Sequence, residues 1–360
     1  MPPPFIPGLE LARAFYAEVV APLLAGQAGP YAAALLGPGS EVLGFDSARS
    51  ADHDWGPRLQ VFLAPGAGRD RAAQVEAMLT RRLPADFRGY PVAFPLSGDA
   101  GQVARHRVEV VTDLVAWLGL GFDPRQPATA ADWLAVPAQR LAELTAGAVF
   151  RDEPGRLSAA RDALAWYPRD VWLYILACQW VRIGQEEAFP GRCAEAGDEL
   201  GSALVTARLA RELIRLCLLM RRRYPPYSKW LGTAFARLPE GATVGPSLRA
   251  AVAATGWAAR QHHLGRAVTA VAARHNELGL TAPLDPGLRP YYDRPYQVIG
   301  AERFADALLA AVTDPQLRHR PPAGAVDQVI DSTDALGSAA IRRAAIAAGA
   351  PGPARTAGPD

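Results

Sequence analysis

The stretch that decides the fold runs from Gly37 to Leu63 and reads GPGSEVLGFDSARSADHDWGPRLQVFL. It follows a small apolar run, Tyr31–Leu36, which is typical of a short buried strand. Gly39 and Ser40 then allow a tight turn, because glycine has no Cβ to restrict its backbone. The near-alternation of apolar residues at 59, 61 and 63 predicts a second strand. The stretch therefore predicts a strand, a turn of small residues, a polar connection and another strand.

Two carboxylates, Asp52 and Asp54, come just before this apolar alternation. On a strand, side chains at i and i+2 share one face about 7 Å apart, so the two acids are predicted to point the same way, with His53 opposite. At about 6 Å and an effective dielectric constant of about 20, their repulsion is roughly 3 kcal/mol. A hard divalent cation such as Mg²⁺ would offset that repulsion. The pair therefore predicts a metal site at the start of the second strand.

This arrangement resembles the active-site pattern of the nucleotidyltransferase superfamily that includes DNA polymerase beta and the aminoglycoside nucleotidyltransferases. That pattern is an apolar run, Gly followed by Gly or Ser, a connection, and then Asp-x-Asp or Asp-x-Glu on a strand. The residues that match it are Leu36, Gly39, Ser40, Asp52 and Asp54. Pro38, which separates Gly37 from Gly39, departs from it.

The sequence around this motif, GSEVLGFD followed by SADHDWGPR, resembles the sequences of a family of uncharacterised bacterial nucleotidyltransferase-like proteins. In that family a helical domain related to the C-terminal domain of kanamycin nucleotidyltransferase follows the sheet. The resemblance implies transfer of a nucleoside monophosphate from a nucleoside triphosphate, with ATP as the expected donor. It also implies two Mg²⁺ ions held by Asp52, Asp54 and a third carboxylate, and a Gly39–Ser40 turn against the β- and γ-phosphates.

Glu109 is the first choice for the third carboxylate. It lies in the run RHRVEVVTDL, residues 105–114, where the β-branched residues around it predict a short strand. The superfamily places this acid on a strand beside the Asp-x-Asp strand. Asp113 is the alternative, although its position where the strand passes into a helix is more typical of a helix cap. A surface acid on an edge strand is the structural alternative for both.

A triphosphate also requires fixed positive charge, and Lys229 is the single lysine of the chain. It lies in RRRYPPYSKW at a predicted helix start, where backbone N–H groups and the helix dipole favour phosphate. An ordinary solvated lysine is the alternative interpretation. By analogy with the aminoglycoside enzymes, whose helical domain supplies a glutamate as general base, Glu195 is a candidate base. A salt-bridged acid on the helical surface is the alternative for Glu195.

The sequence changes character along the chain and predicts the α+β class. Residues 1–125 are predicted to form a small mixed-sheet domain, residues 126–348 a bundle of helices, and residues 349–360 a disordered tail. From Thr129 onward no strand is expected. The longest helical pattern runs from Arg192 to Arg223, and its predicted buried stripe consists of Leu200, Leu204, Leu209, Leu213, Leu216 and Leu219.

Composition limits the partners. A net charge of +2 over 360 residues offers no large electrostatic footprint for duplex nucleic acid. No signal peptide and no apolar run long enough to span a membrane are present, so a cytoplasmic protein is expected. The expected acceptor is a hydroxyl of a small molecule. A protein or a tRNA end as acceptor, and an inactive nucleotide-binding module, are the alternatives; intact acids at 52, 54 and 109 argue against the inactive module.

Overall fold

The computed structural model describes residues 3–52, 54–95 and 103–349, and for Asp52 the backbone alone. His53 and the predicted tail from residue 350 onward lie outside the described residues. The chain divides into two compact units. The first comprises Met1–Ala128 and Arg140–Ala165, and the second comprises Thr129–Gln139 and Trp166–Asp360.

The first unit is built on a mixed five-stranded sheet with the strand order β5-β6-β2-β1-β7. Strands β2 and β6 run parallel, and the other neighbours in this sheet are antiparallel. The sheet strands are β1 (Tyr31–Leu35), β2 (Arg58–Leu63), β5 (Ala93–Phe94), β6 (Arg105–Val111) and β7 (Ala148–Asp152), and β3 (Asp86–Phe87) pairs with β4 (Tyr90–Pro91) in a separate hairpin.

One face of this sheet forms the core of the unit. Leu59, Val61 and Leu63 alternate along β2 and join Val108 of β6 in one buried cluster with the helices. The opposite face of β2 carries Arg58, Gln60 and Phe62, so polar side chains remain available there. The helices of the unit are α1 (Gly8–Phe15), a π-helical turn (Tyr16–Val20), α2 (Ala21–Leu24), α3 (Gly68–Arg82), α4 (Leu114–Leu118) and α7 (Arg156–Ala163), and α6 (Ala138–Thr145) begins in the second unit and ends in the first.

The second unit is predominantly helical, and the predicted α+β class is confirmed. Helix α8 (Arg169–Glu186) is buried on nearly every side because it is apolar all round, and it packs against α10 and α15. No described helix combines the length and the apolar character needed to cross a membrane. The other elements are α5 (Ala130–Leu134), α9 (Phe189–Glu195), α10 (Glu199–Met220), α11 (Ser228–Ala236), α12 (Pro239–Thr243), α13 (Gly245–Ala253), α14 (Trp257–Glu277), β8 (Arg289–Pro290), β9 (Gln297–Val298), α15 (Glu302–Ala310), α16 (Pro315–Arg318), α17 (Val326–Val329), α18 (Thr333–Gly337) and α19 (Ala339–Ala348).

The expectation of no strand after Thr129 is wrong. Strand β7, with the sequence AVFRD, pairs antiparallel with β1 and completes the sheet of the first unit. Gly147, just before it, packs so tightly that an added Cβ would collide with the carbonyl oxygen of Leu35. Four of the five residues of β7 are half-buried and Arg151 is exposed, so the strand shows neither a fully apolar run nor a clear alternation of buried and exposed positions.

The predicted continuous helix from Arg192 to Arg223 is also wrong. Helix α9 ends at Glu195, Gly197 adopts a left-handed φ of 76°, and the Asp198 carboxylate then accepts from the backbone N–H of Gly201 to cap α10. Leu200 and Leu204 are 71% and 64% exposed, so the predicted buried stripe begins only at Leu209. At the start of α10 the buried face carries Ser202 and Thr206, both 0% exposed, so Leu200 and Leu204 lie on the outward face.

Candidate active site

The turn that follows β1 is anchored at its start by two backbone hydrogen bonds. The N–H of Leu36 donates to Oε1 of the buried Gln60 at 3.0 Å, and the N–H of Gly37 donates to the carbonyl of Glu143 at 3.1 Å. Gly37 has a φ of 89° and Gly39 a φ of 144°, which side chains rarely permit. The predicted turn of small residues after the first strand is therefore present.

Gly39 is required for space as well as for conformation. A Cβ at this position would collide with the Arg58 guanidinium and would come within 2.7 Å of the Glu41 carboxylate. Arg58 donates from Nε to Glu41 at 2.6 Å and from Nη2 to the carbonyl of Pro38. Glu41 is only 3% exposed, so this ion pair is buried beneath the turn. The conformation of the Gly39–Ser40 turn is thus fixed by Arg58, which the sequence analysis missed.

The placement of Asp52 and Asp54 on a strand is wrong. Asp52 ends a 3₁₀ helix, Ala48–Asp52, and Asp54 follows it with a left-handed φ of 53°. Strand β2 begins only at Arg58, because Gly56 and Pro57 interrupt the extended conformation ahead of it. The argument that two strand positions share a face therefore does not apply to these acids. Their roles stay predictions.

Asp46, which the sequence analysis did not single out, holds the acidic segment to the first helix. Its Oδ2 accepts from the backbone N–H of Gly8 at 2.7 Å and from the indole N–H of Trp55 at 3.3 Å. Gly8 opens α1, so the carboxylate also lies where the helix dipole favours negative charge. Asp46 and Trp55, which flank Asp52 and Asp54 in the sequence, are in this way joined to each other and to the start of α1.

Glu109 lies on β6, as predicted, and β6 is the parallel neighbour of β2. It is in register with Gln60, so both side chains are on the same face of the sheet. Its two carboxylate oxygens accept from Nε1 of Trp117 at 3.1 and 3.0 Å. The alternative acid, Asp113, is the N-cap of α4 and accepts from the N–H of Ala116 at 3.0 Å, which confirms its interpretation as a cap.

Trp117 connects Glu109 to the turn. Its ring meets Phe62 of β2 edge to face at a centroid distance of 5.0 Å, and Arg140 stacks over its other face at 5.3 Å. The ring also passes 3.7 Å from where a Cβ of Gly37 would lie. The indole is therefore held on several sides while it donates to the carboxylate, and its N–H direction is fixed.

The donors present have the chemistry of a magnesium site, because carboxylate oxygens are the ligands that Mg²⁺ prefers in proteins. Among the described side chains, however, no group of three or more His, Cys, Asp or Glu residues could hold a metal ion. The side chain of Asp52 is outside that description. The three-carboxylate metal site made of Asp52, Asp54 and Glu109 therefore stays a prediction.

Two further predicted residues belong to the second unit. Lys229 is the second residue of α11, is exposed, and places Nζ 5.0 Å from the centre of the Trp230 ring. Glu195 ends α9, where its Oε2 pairs with Arg294 at 3.1 Å and accepts from the Tyr296 hydroxyl at 3.4 Å. Lys229 lies at a helix start, as predicted, but the nucleotide-binding role of Lys229 and the role of Glu195 as base stay predictions.

Comparison with known proteins gives similarities to a family model and to solved structures. Residues 133–231 match a family model described as Domain of unknown function (DUF4037). The matched segment includes Glu195 and Lys229, whereas Gly39, Ser40, Asp54 and Glu109 lie outside it. No curated protein matches this chain. Among solved structures, the chain is similar to a nucleotidyltransferase-like protein from Exiguobacterium sibiricum 255-15, with 10% identity and a TM-score of 0.32 over 75% of this chain and 79% of that one.

Proposed function

We propose that the chain is a metal-dependent nucleotidyltransferase that moves a nucleoside monophosphate from a nucleoside triphosphate, ATP in the first instance, to a hydroxyl of a small molecule. The observation that carries the proposal is the pairing of β2 with β6. It sets Glu109 on the same sheet face as Gln60, whose amide holds the strand end that opens the Gly39–Ser40 turn. A carboxylate on β6 and a tight small-residue turn after β1, with β2 between the two strands, support the chemistry implied by the sequence pattern.

In the proposed reaction the acceptor oxygen attacks the α-phosphorus, and the bond from that phosphorus to the bridging oxygen of the β-phosphate breaks. Pyrophosphate leaves with the bond's electrons, and the hydroxyl proton passes to a base, for which Glu195 is the candidate. Two Mg²⁺ ions held by Asp52, Asp54 and Glu109 would neutralise the charge that develops on the attacking and leaving oxygens.

The chain's own groups bind and orient the donor in this proposal. The small residues at 39 and 40 let the phosphates approach backbone N–H groups and the Ser40 hydroxyl. Arg58 keeps that turn in one conformation, because its guanidinium is held by Glu41 and Pro38. Lys229, a point charge on a flexible stem, is proposed to contact the triphosphate and to release pyrophosphate afterwards.

The test uses the full chain with Mg²⁺, a cell extract separated into small-molecule and macromolecular fractions, and ATP labelled either at the α- or at the γ-phosphate. We expect α-labelled ATP to give a new labelled small molecule that is distinct from ATP and its hydrolysis products, and γ-labelled ATP to release its label as pyrophosphate and not into that product. Label confined to macromolecules would instead indicate a protein or tRNA acceptor.

Variants then separate the site from the fold. Asp54→Asn and Glu109→Gln should each abolish transfer. The matched control is Asp113→Asn, which changes an acid four residues from Glu109 and keeps a good capping residue. Transfer that persists in both Asp54→Asn and Glu109→Gln, or that falls equally in Asp113→Asn, would overturn the proposal.

A further inference from the structure

The second unit contains a cavity that is open to solvent on one side and has about 40 Å³ of interior space accessible to the centre of a water molecule. It lies between α8, α9, α10 and α14 on one side and the segment 288–299 on the other. None of the residues assigned to nucleotidyl transfer lines it. Protein interiors are close-packed, with few voids larger than a water molecule, whereas this cavity has room for about three water molecules.

The wall formed by the segment 288–301 is fixed to the helices by directed hydrogen bonds. The half-buried carboxylate of Glu187 accepts from the three successive backbone N–H groups of residues 299–301, at 2.8, 3.2 and 3.1 Å. Gln261 of α14 accepts from the backbone N–H of Gln297 at 3.2 Å. Because both anchors hold the backbone, the cavity is preorganised and does not depend on a ligand for its shape.

Two glycines let this wall come into direct contact with the helices at either side of the cavity. The Tyr296 ring lies over Gly191, where an added Cβ would be 2.6 Å from the ring. Leu288 lies over Gly265, where an added Cβ would be 2.7 Å from its Cδ1. At these two contacts the wall cannot move closer to the helices. The cavity between the contacts is therefore a fixed feature of the packing and does not result from a loosely packed segment.

The lining selects the chemistry of a ligand. Apolar side chains from three helices and β9 supply its surface, among them Ile183, Leu209, Leu213, Leu264, Val268 and Val298. Burial raises the pKa of the Glu187 carboxyl, against the opposite effect of the three N–H groups that it accepts from. An anionic ligand would be repelled by the Glu187 carboxylate. A cationic ligand would lose its hydration without gaining an acceptor, because the oxygens of Glu187 already accept from backbone N–H groups.

We propose that this cavity binds a small, uncharged and predominantly apolar molecule. Such a ligand gains burial of its apolar surface against the lining, and it requires no charged partner. This proposal does not rest on the nucleotidyl transfer proposed for the chain, although Tyr296, which lines the cavity, donates to Glu195.

The test measures binding of two fluorescent naphthalene probes to the full chain. The uncharged probe is 6-propionyl-2-(dimethylamino)naphthalene, and the anionic probe is 8-anilinonaphthalene-1-sulfonate. We expect the uncharged probe to bind at one saturable site with a blue-shifted emission, and the anion to bind at least tenfold more weakly. Equal or tighter binding of the anion would overturn the proposed ligand class.

Location is tested by filling the cavity. Val268→Phe places a ring in the lining, where Val268 is 7% exposed, and should weaken the uncharged probe at least tenfold. The matched control, Val252→Phe, makes the same change at a residue of α13 that is 51% exposed, and should leave binding unchanged.

Gln297→Trp also obstructs the cavity. It does not require the buried core to repack, because Gln297 lines the cavity from an exposed position on β9. It should weaken the uncharged probe as well, with the circular dichroism spectrum and the thermal midpoint retained. Binding that is unchanged in a folded Gln297→Trp variant would overturn the proposal, even if Val268→Phe failed to fold.

Discussion

Replacing Arg58 by Met should destabilise the first unit strongly, because it strands a buried carboxylate. Arg58 is 13% exposed and Glu41 is 3% exposed, and the guanidinium donates to both Glu41 and the Pro38 carbonyl. Met preserves most of the side-chain length while it removes every donor. Because Glu41 is only 3% exposed, the substitution would leave its charge buried and without the Arg58 partner.

The expected magnitude follows from that burial. Breaking a buried ion pair by removing one partner costs about 3–5 kcal/mol, whereas an exposed pair contributes about 0–1 kcal/mol. Replacing both partners by apolar residues is often close to neutral, because no unpaired charge remains. Arg58→Met combined with Glu41→Leu should therefore cost less than Arg58→Met alone. Arg58→Lys should be intermediate, because an ammonium cannot reproduce the planar fork.

The measurement is urea unfolding followed by circular dichroism, in which the unfolding midpoint of each variant is compared with that of the unsubstituted chain. The matched control is Arg151→Met, which breaks a pair with Glu153 on the same sheet whose partners are each 42% exposed. A loss for Arg58→Met no larger than that for Arg151→Met would refute the reasoning. So would a double variant with Glu41→Leu that is less stable than Arg58→Met alone, since the carboxylate would then not be the source of the cost.

Three further predictions follow from other residues. Lys229→Ala should weaken nucleotide binding in a titration without shifting the urea midpoint, and Lys229→Arg should be only partly active; unchanged binding in Lys229→Ala would remove it from the proposed site. Trp117→Phe keeps the ring but removes the donor to Glu109, so it should lower transfer severalfold while stability changes by less than about 1 kcal/mol. Burial lowers the pKa of His275 to about 4, below its unfolded value, so the unfolded chain binds more protons between about pH 6.5 and 4. Stability should therefore fall by up to about 3 kcal/mol as the pH drops through that window, and a thermal midpoint less dependent on pH is expected for His275→Gln, which keeps an acceptor for the Trp180 indole N–H.

Local pattern was sufficient for the elements that frame the candidate site. The apolar run before Gly37, the alternation at 59, 61 and 63, and the β-branched run around Glu109 each predict a strand that is present. The cap at Asp113 could also be predicted, because a short polar residue between a predicted strand and a predicted helix is typical of a helix N-cap. These features depend on neighbours in sequence, so one sequence suffices to find them.

The failures come from places where one or two residues override a longer pattern. Gly56 and Pro57 separate Asp54 from β2, although the apolar alternation that follows them predicts a strand that begins earlier. Gly197 divides α9 from α10, because a left-handed residue followed by a capping Asp198 ends one helix and begins another. In both cases the interrupting residues, and not the apolar periodicity around them, set the boundaries of the elements.

The contacts that fix the turn were beyond the reach of local pattern. Arg58 meets Glu41 across 17 positions in sequence, and the Gln60 amide meets the backbone of Leu36 across 24. One signal was present: β2 reads RLQVFL, with polar residues at alternate positions 58 and 60 opposite an apolar face. Alternate polar residues on an otherwise buried strand require partners, and those partners are the residues that hold the turn.

The anchoring of the turn also decides how the carboxylate variants can be interpreted. The hydrogen bonds to Leu36, Gly37 and Pro38 described above come from Gln60, Glu143 and Arg58. Asp54→Asn leaves these three anchors unchanged while it removes a carboxylate. A loss of transfer in that variant, with an unchanged urea midpoint, would then report on the carboxylate and not on a collapsed phosphate turn. Arg58→Lys provides the reverse case, a disturbed turn with every acid intact, so the two variants together distinguish positioning from charge.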